Sequence, residues 1–195
     1  SQVFYEGKIA TEVDDKNRMH PIKKFAGKSI IWVDTSIMDK KDESRLKGGS
    51  YCNYAENNLI KKLLENFKRE GVLSQLDIGI ITGYRGQKDL IRKSVNNSGY
   101  DRIAKGIDIN TLDAFQGREN DVIIYSTVRT KNSIGFQKEK ERVNVAFSRA
   151  KNLLIICGDM DFFYRFDDPD NKFIEIIDYI CEHEDECLII PGGEI

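Results

Sequence analysis

Two arginines seven residues apart, Arg142 and Arg149, flank an apolar stripe of Val143, Ala146, Phe147 and Ala150. On a helix, that spacing brings two side chains to within about 20° of one direction. The stripe would seat the helix on a sheet, leaving two guanidiniums able to hold one polyphosphate through paired N–H donors. A second group is Gln116-Gly117-Arg118-Glu119. Here Gly117 lets backbone approach a ligand closely, and Glu119 offers a carboxylate to ribose hydroxyls or a phosphate-bound water. A third group, Gly83-Tyr84-Arg85-Gly86-Gln87, sets a ring suited to base stacking beside a cation. Each also has a plainer reading: a surface pair on an amphipathic helix, a turn with Gly117 as a helix C-cap, and an ordinary surface arginine.

The elements that must position these groups are legible as apolar runs. Ser29–Asp34, Ile78–Thr82, Val122–Val128 and Leu153–Cys157 are near-continuous hydrophobic segments, suited to strands buried on both faces of a parallel sheet. Gly106–Leu112 alternates apolar and polar residues and makes a weaker strand. Between them Ala55, Leu59, Leu63 and Phe67, with Ile60 and Leu64, recur at helical spacing, and Asn53 with Glu56 three residues on predicts a capping box. Leu90 and Ile91 belong to another helix. Strands alternating with helices define an α/β fold, in which ligands bind beyond the carboxyl ends of the strands. The stretch 39–50 reads as an exposed loop, residues 167–170 as a turn, and Phe173–Ile180 as an acidic amphipathic helix.

Composition bounds the class. The 195 residues carry 30 Lys+Arg against 32 Asp+Glu, for a net charge of −2. That near-neutral figure hides an asymmetry: residues 1–150 hold 27 basic and 20 acidic residues, whereas residues 151–195 hold 3 and 12. A basic body can face phosphate, and an acidic tail cannot. The length suits one domain with a real core, and no run of about 18 apolar residues is present. Four scattered cysteines do not make a disulfide framework, so a reducing, intracellular setting (cytoplasmic or nuclear) is expected. The chain starts at Ser1 without signal-peptide character, the expectation for a fragment or a processed start.

Three segments together resemble a known family. Thr111-Leu112-Asp113-Ala114-Phe115-Gln116-Gly117-Arg118-Glu119 and Arg142-Val143-Asn144-Val145-Ala146-Phe147-Ser148-Arg149-Ala150-Lys151 look like motifs V and VI of superfamily 1 helicases. Gly83-Tyr84-Arg85 resembles motif IV. The likeness is to the nonsense-mediated-decay branch, which includes senataxin-like helicases, and covers roughly residues 1–165. It implies the second RecA-like domain of such a motor: a parallel sheet flanked by helices, of the P-loop NTPase type but without its own P-loop. Residues 166–195 would be an acidic helical extension on, or trailing, that domain.

What the resemblance implies for the site is specific. Arg149 is the motif VI arginine finger, a role worth about 10³–10⁵ in rate. Gln116, Gly117, Glu119 and Arg142 join it around ATP, Tyr84 lies under adenine, and Arg85 acts as a second finger. Thr82 and Thr111, at strand ends, contact the backbone of single-stranded DNA or RNA. The branch usually has Pro where this chain has Gly83, and some members carry the arginine where this chain has Lys88. The chain contains neither a G-x-x-x-x-G-K-[ST] loop nor a strand-ending Asp-Glu pair, so the phosphate cradle and the Mg²⁺ ligands are expected from the N-terminal RecA-like domain of the same parent chain. The fragment alone is expected to be inert as an ATPase, with no membrane partner. The alternatives are a nucleic-acid-binding module that has lost catalysis, and a protein-interaction domain that docks through its acidic tail. Gly27-Lys28-Ser29 lacks the first glycine of a phosphate loop, Arg18-Met19-His20-Pro21 falls after rather than before its usual neighbour, and Cys181, His183 and Cys187 are too irregularly spaced to read as a metal site.

Overall fold

A buried parallel strand must be apolar on both sides, and four runs in this chain meet that requirement. The computed structural model describes residues 2–5, 8–11, 20–115, 119–138 and 140–195. In chain order the elements are β1 (Gln2–Tyr5), β2 (Lys8–Thr11), β3 (Ile30–Asp34), β4 (Ser44–Arg45), β5 (Tyr51–Cys52), α1 (Tyr54–Arg69), β6 (Asp77–Thr82), α2 (Arg85–Ser98), β7 (Gly106–Thr111), β8 (Asn120–Ser126), α3 (Lys140–Phe147), β9 (Ala150–Gly158), α4 (Met160–Arg165), α5 (Phe173–Glu182) and β10 (Cys187–Pro191). Six strands form one sheet in the order β10-β3-β9-β8-β6-β7, every pair parallel. This is an α/β arrangement of the RecA-like kind.

The pleat divides each strand between two cores. Ile31, Val33, Ile78, Ile80, Val122, Ile124, Leu153 and Ile155 meet α1 and α2 on one face. Ile30, Trp32, Ile123, Tyr125, Leu154 and Ile156 meet α3, α4 and α5 on the other. Helix α1 contributes Leu59, Ile60, Leu63, Leu64 and Phe67, all fully buried. Each such side chain stabilises the fold by about 1.5–3 kcal/mol relative to an exposed one. In the second core Trp32 is edge-on to Phe173 at 6.0 Å and donates its indole N–H to the Gly158 carbonyl at 3.0 Å.

The connection from β7 to β8 does most to place the site. Strand β7 ends at Thr111, and Leu112 already belongs to a short 3-10 turn. Leu112 and Phe115 are buried in the second core, so the chain travels back along the sheet's face to begin β8 at its amino end. Room for this comes from Gly79: a Cβ there would stand 2.6 Å from both Phe115 and Ile123.

Two segments differ from the sequence reading. The stretch 39–50, expected as an exposed loop, contains β4, which pairs antiparallel with β5, and Glu43 within it is buried. Residues 166–195 carry α5, as expected, and also β10, which pairs with β3 from Cys187↔Ile30 to Pro191↔Asp34. The run Cys187–Pro191 is short, and its terminal proline, which has no N–H to donate, suits an edge strand with only one neighbour. No helix among the described residues is long and apolar enough to cross a membrane.

Candidate functional site

The sheet has two ends, and the proposed site residues divide between them. At the carboxyl end, Thr82 of β6 lies in register with Thr111 on one side and Ser126 on the other. Thr82 is fully buried, its hydroxyl facing the Tyr84 N–H at 3.4 Å, while Thr111 is half-buried. Gly83 follows, then Tyr84 as the N-cap residue of α2, and Arg85 as its exposed first residue. The Tyr84 ring is only 3% exposed, packed against Tyr51 at 5.7 Å and Phe136 at 5.4 Å. It therefore has no open face for an adenine in this structure. Burial pushes the phenol up, partly offset by the nearby Arg129 charge.

Beneath this edge lies a polar network that sequence reasoning passed over as a helix cap. Half of the capping box is present: the Asn53 side chain accepts from the Glu56 N–H at 3.1 Å. The other half is not, because the Asn53 N–H donates to Gln87 Oε1 at 2.7 Å. The Glu56 carboxylate is fully buried and instead accepts from Ser126 Oγ, from Thr127 Oγ1 at 3.1 Å and from the Val128 N–H at 2.9 Å. Gln87 donates to Ser126 Oγ at 2.9 Å, tying the start of α2 to the end of β8. Val128 has φ +70°, a region a β-branched residue seldom adopts. Burial raises the Glu56 carboxyl to about 7, against the pull of the hydrogen bonds from Ser126, Val128 and Thr127, with Asp159 adding to the rise. The signals in the sequence were Ser126-Thr127 closing an apolar run and Gln87 on a helix's inner face.

At the amino end stand Glu119 and Arg149. Asn120 pairs with Ala150, and the Asn120 N–H donates to the Arg149 carbonyl at 3.0 Å, so Glu119 and Arg149 each lie one residue before neighbouring strands. Glu119 is exposed; Arg149 is half-buried, with a buried Nε that has no hydrogen-bond partner among the described residues. Beside them is an open depression of about 430 Å³ lined by Asp77, Gly106, Ile107, Asp108, Glu119 and Asn120. Asn120 Nδ2 donates to Asp77 Oδ1 at 3.1 Å and fixes one wall. Arg142 lies in the first turn of α3, but the helix ends at Phe147 and Arg149 falls in the turn beyond it, so the two arginines do not share one helix as their spacing suggested. Gln116 and Gly117 lie outside the described residues.

This division sets apart residues that the sequence reading brought to one ligand. From the Thr82–Ser126–Cys157 row to the Asn120–Ala150 pair is six or seven residues of strand, about 20 Å. Arg85 and Arg149 are thus a sheet's length apart in this structure. Thr82 and Thr111 close their strands at the carboxyl end, and Tyr84 and Arg85 follow just beyond it. Glu119 and Arg149 precede their strands and stand at the opposite edge, because Leu112 and Phe115 bring the chain back across the sheet before β8 begins and α3 does so before β9.

Relatives match this chain along most of its length. It is 34% identical over 167 residues to the ATP-dependent helicase upf1 of Schizosaccharomyces pombe, covering 82% of this chain and 18% of that protein. It is 34% identical over 158 residues to the DNA polymerase alpha-associated DNA helicase A of Saccharomyces cerevisiae, covering 78% and 22%. With the ATP-dependent helicase NAM7 of the same yeast the figures are 32% over 169 residues, 82% and 17%. The chain therefore spans about a fifth of the length of these relatives. A solved C-terminal domain of a possible DNA helicase from Lactobacillus matches with a TM-score of 0.46 at 15% identity, over 89% of this chain and 91% of that one. The model of the AAA domain family, AAA_12, matches residues 1–161, and the chain belongs to that family.

Proposed function

We propose that this chain is the C-terminal motor domain of an ATP-dependent DNA or RNA helicase or translocase, with its two ligands on opposite edges of one sheet. The observation that carries the reading is Arg149, whose buried Nε has no hydrogen-bond partner among the described residues, on the residue before β9, with exposed Glu119 on the residue before the neighbouring strand β8. A guanidinium with an unmet donor suits a phosphate oxygen, and a neighbouring carboxylate suits ribose hydroxyls or a phosphate-bound water. ATP would meet this amino edge, with Arg149 stabilising the charge that develops on the transferred phosphoryl group. Arg142, Gln116 and Gly117 are proposed to join it there. The phosphate cradle and the Mg²⁺ ligands would come from the N-terminal RecA-like domain of the parent chain. The carboxyl edge, with Thr111, Gly83 and Arg85, would track the backbone of a single strand. Arg85 then acts on nucleic acid and not as a second finger.

The test belongs in the full-length parent protein. Arg149→Ala should lower strand-stimulated ATP turnover by about 10³-fold or more while leaving oligonucleotide affinity nearly unchanged. Arg85→Ala should do the reverse, weakening binding and reducing the slope of log affinity against log salt by about 1. Full turnover by Arg149→Ala would overturn the finger assignment. Loss of turnover in both variants with no change in binding would overturn the two-edge arrangement.

A further inference from the structure

Phe136 is the one exposed phenylalanine among the side chains described, at 52% of its surface. It sits on the 3-10 turn Gly135–Lys138, beyond the carboxyl end of β8. A ring held open to water forfeits the stabilisation that burial would bring, so its support is informative. The ring is 5.4 Å from that of Tyr84, and its Cβ would lie 3.6 Å from a Cβ at Gly83. Gly135, at φ +64°, brings the turn so close that a Cβ there would fall 2.0 Å from the Tyr84 hydroxyl. Behind Tyr84 stands Tyr51, with the Arg129 guanidinium 4.3 Å from its ring centre.

The root of the loop is equally fixed. Glu56 holds the Val128 N–H, Glu43 accepts from the Thr130 N–H at 3.0 Å, and Arg129 pairs with Glu43 at 3.3 Å. The ring is thus mounted on a braced base with its outer face free. Exposed Arg85 begins α2 two residues beyond Gly83. The turn between β4 and β5 packs against Gly86 through Leu46, and the flanking Arg45 and Lys47 are exposed. An aromatic face bordered by cations is what a single-stranded nucleic acid needs: bases stack on the ring while phosphates meet the charges.

We propose that Phe136 is a stacking platform for an unpaired nucleobase of a strand whose phosphates pass Arg85 and Thr111. This rests on the nucleic-acid reading of the carboxyl edge. The experiment uses the full-length parent protein and fluorescein-labelled oligo-dT and oligo-U, read by anisotropy, beside an abasic strand of equal length that keeps phosphates and lacks bases. Phe136→Ala should bind ordinary strands about tenfold more weakly, and Phe136→Trp should bind like wild type. Both variants should match wild type on the abasic strand. Phe136→Leu keeps an apolar cover over Tyr84 without a π face and should behave like the alanine variant. Wild-type affinity in Phe136→Ala or Phe136→Leu on ordinary strands overturns stacking while leaving the nucleic-acid reading intact. Equal losses on abasic and ordinary strands also overturn it, because the ring then acts only by supporting the loop. A wild-type protein that binds no single strand removes the nucleic-acid reading itself, and the platform with it.

Discussion

Glu56 shows how one buried carboxyl couples the stability of the fold to pH. Burial raises it from 4.5 to about 7, with the donors Ser126, Val128 and Thr127 opposing and Asp159 reinforcing the rise. The folded form therefore takes up a proton more readily than the unfolded chain. The contribution is fully present below the unfolded value near 4.5 and is lost as pH rises through the folded value near 7. A gap of this size corresponds to about 3 kcal/mol. Urea unfolding followed from pH 4.5 to 8 should show the wild type losing stability across that window, and Glu56→Gln should flatten the decline. Parallel pH profiles for the two proteins would refute the assignment. Glu56 is also the residue least legible in the sequence. Its place three positions after Asn53 fits a capping box, and only the tertiary position of Ser126 and Thr127 reveals the network it serves.

Among the elements, the β7–β8 connection decides where the chemistry lies, and its seat is Gly79. Gly79→Ala would drive a methyl to within 2.6 Å of Phe115 and Ile123, so one of them must shift. Overpacking of this kind costs about 1–3 kcal/mol, and the denaturation midpoint should fall accordingly. If Phe115 is the residue that yields, the segment leading to Glu119 moves with it, and turnover in the parent protein should fall further than stability alone explains. An unchanged midpoint would mean that the sheet face is less tightly filled than the geometry indicates. The long strands were readable because β-branched runs of five to seven residues leave little ambiguity between helix and strand. The direction of travel was not. Nothing local in Thr111–Glu119 distinguishes a turn that stays beyond the carboxyl ends from one that crosses back, and that distinction separates Arg85 from Arg149.

Across the whole molecule, the charge asymmetry invites a division into a basic motor and a disposable acidic tail, and the packing opposes it. Phe173, Ile176, Ile177 and Ile180 fill the second core beside Trp32 and Tyr125, and β10 covers the edge of β3. Cys187 and Ile190 are buried as well. At about 1.5–3 kcal/mol for each large apolar side chain, removing these six would cost about 9–18 kcal/mol, comparable to the whole 5–15 kcal/mol by which domains are typically stable. It would also bare the apolar edge of β3, a template for pairing with another chain. The pattern was visible as an amphipathic helix, but charge density drew attention to its outer face and away from the inner one. A chain ending at residue 165 should therefore aggregate, or show helical far-UV signal without a cooperative melt, whereas residues 1–195 should unfold in one sharp transition. Lys172→Ala, which removes an exposed ion pair with Glu175 on that segment, should leave the transition within about 0.5 kcal/mol of wild type. A soluble, cooperatively melting 1–165 would mean that the acidic segment is an appendage after all.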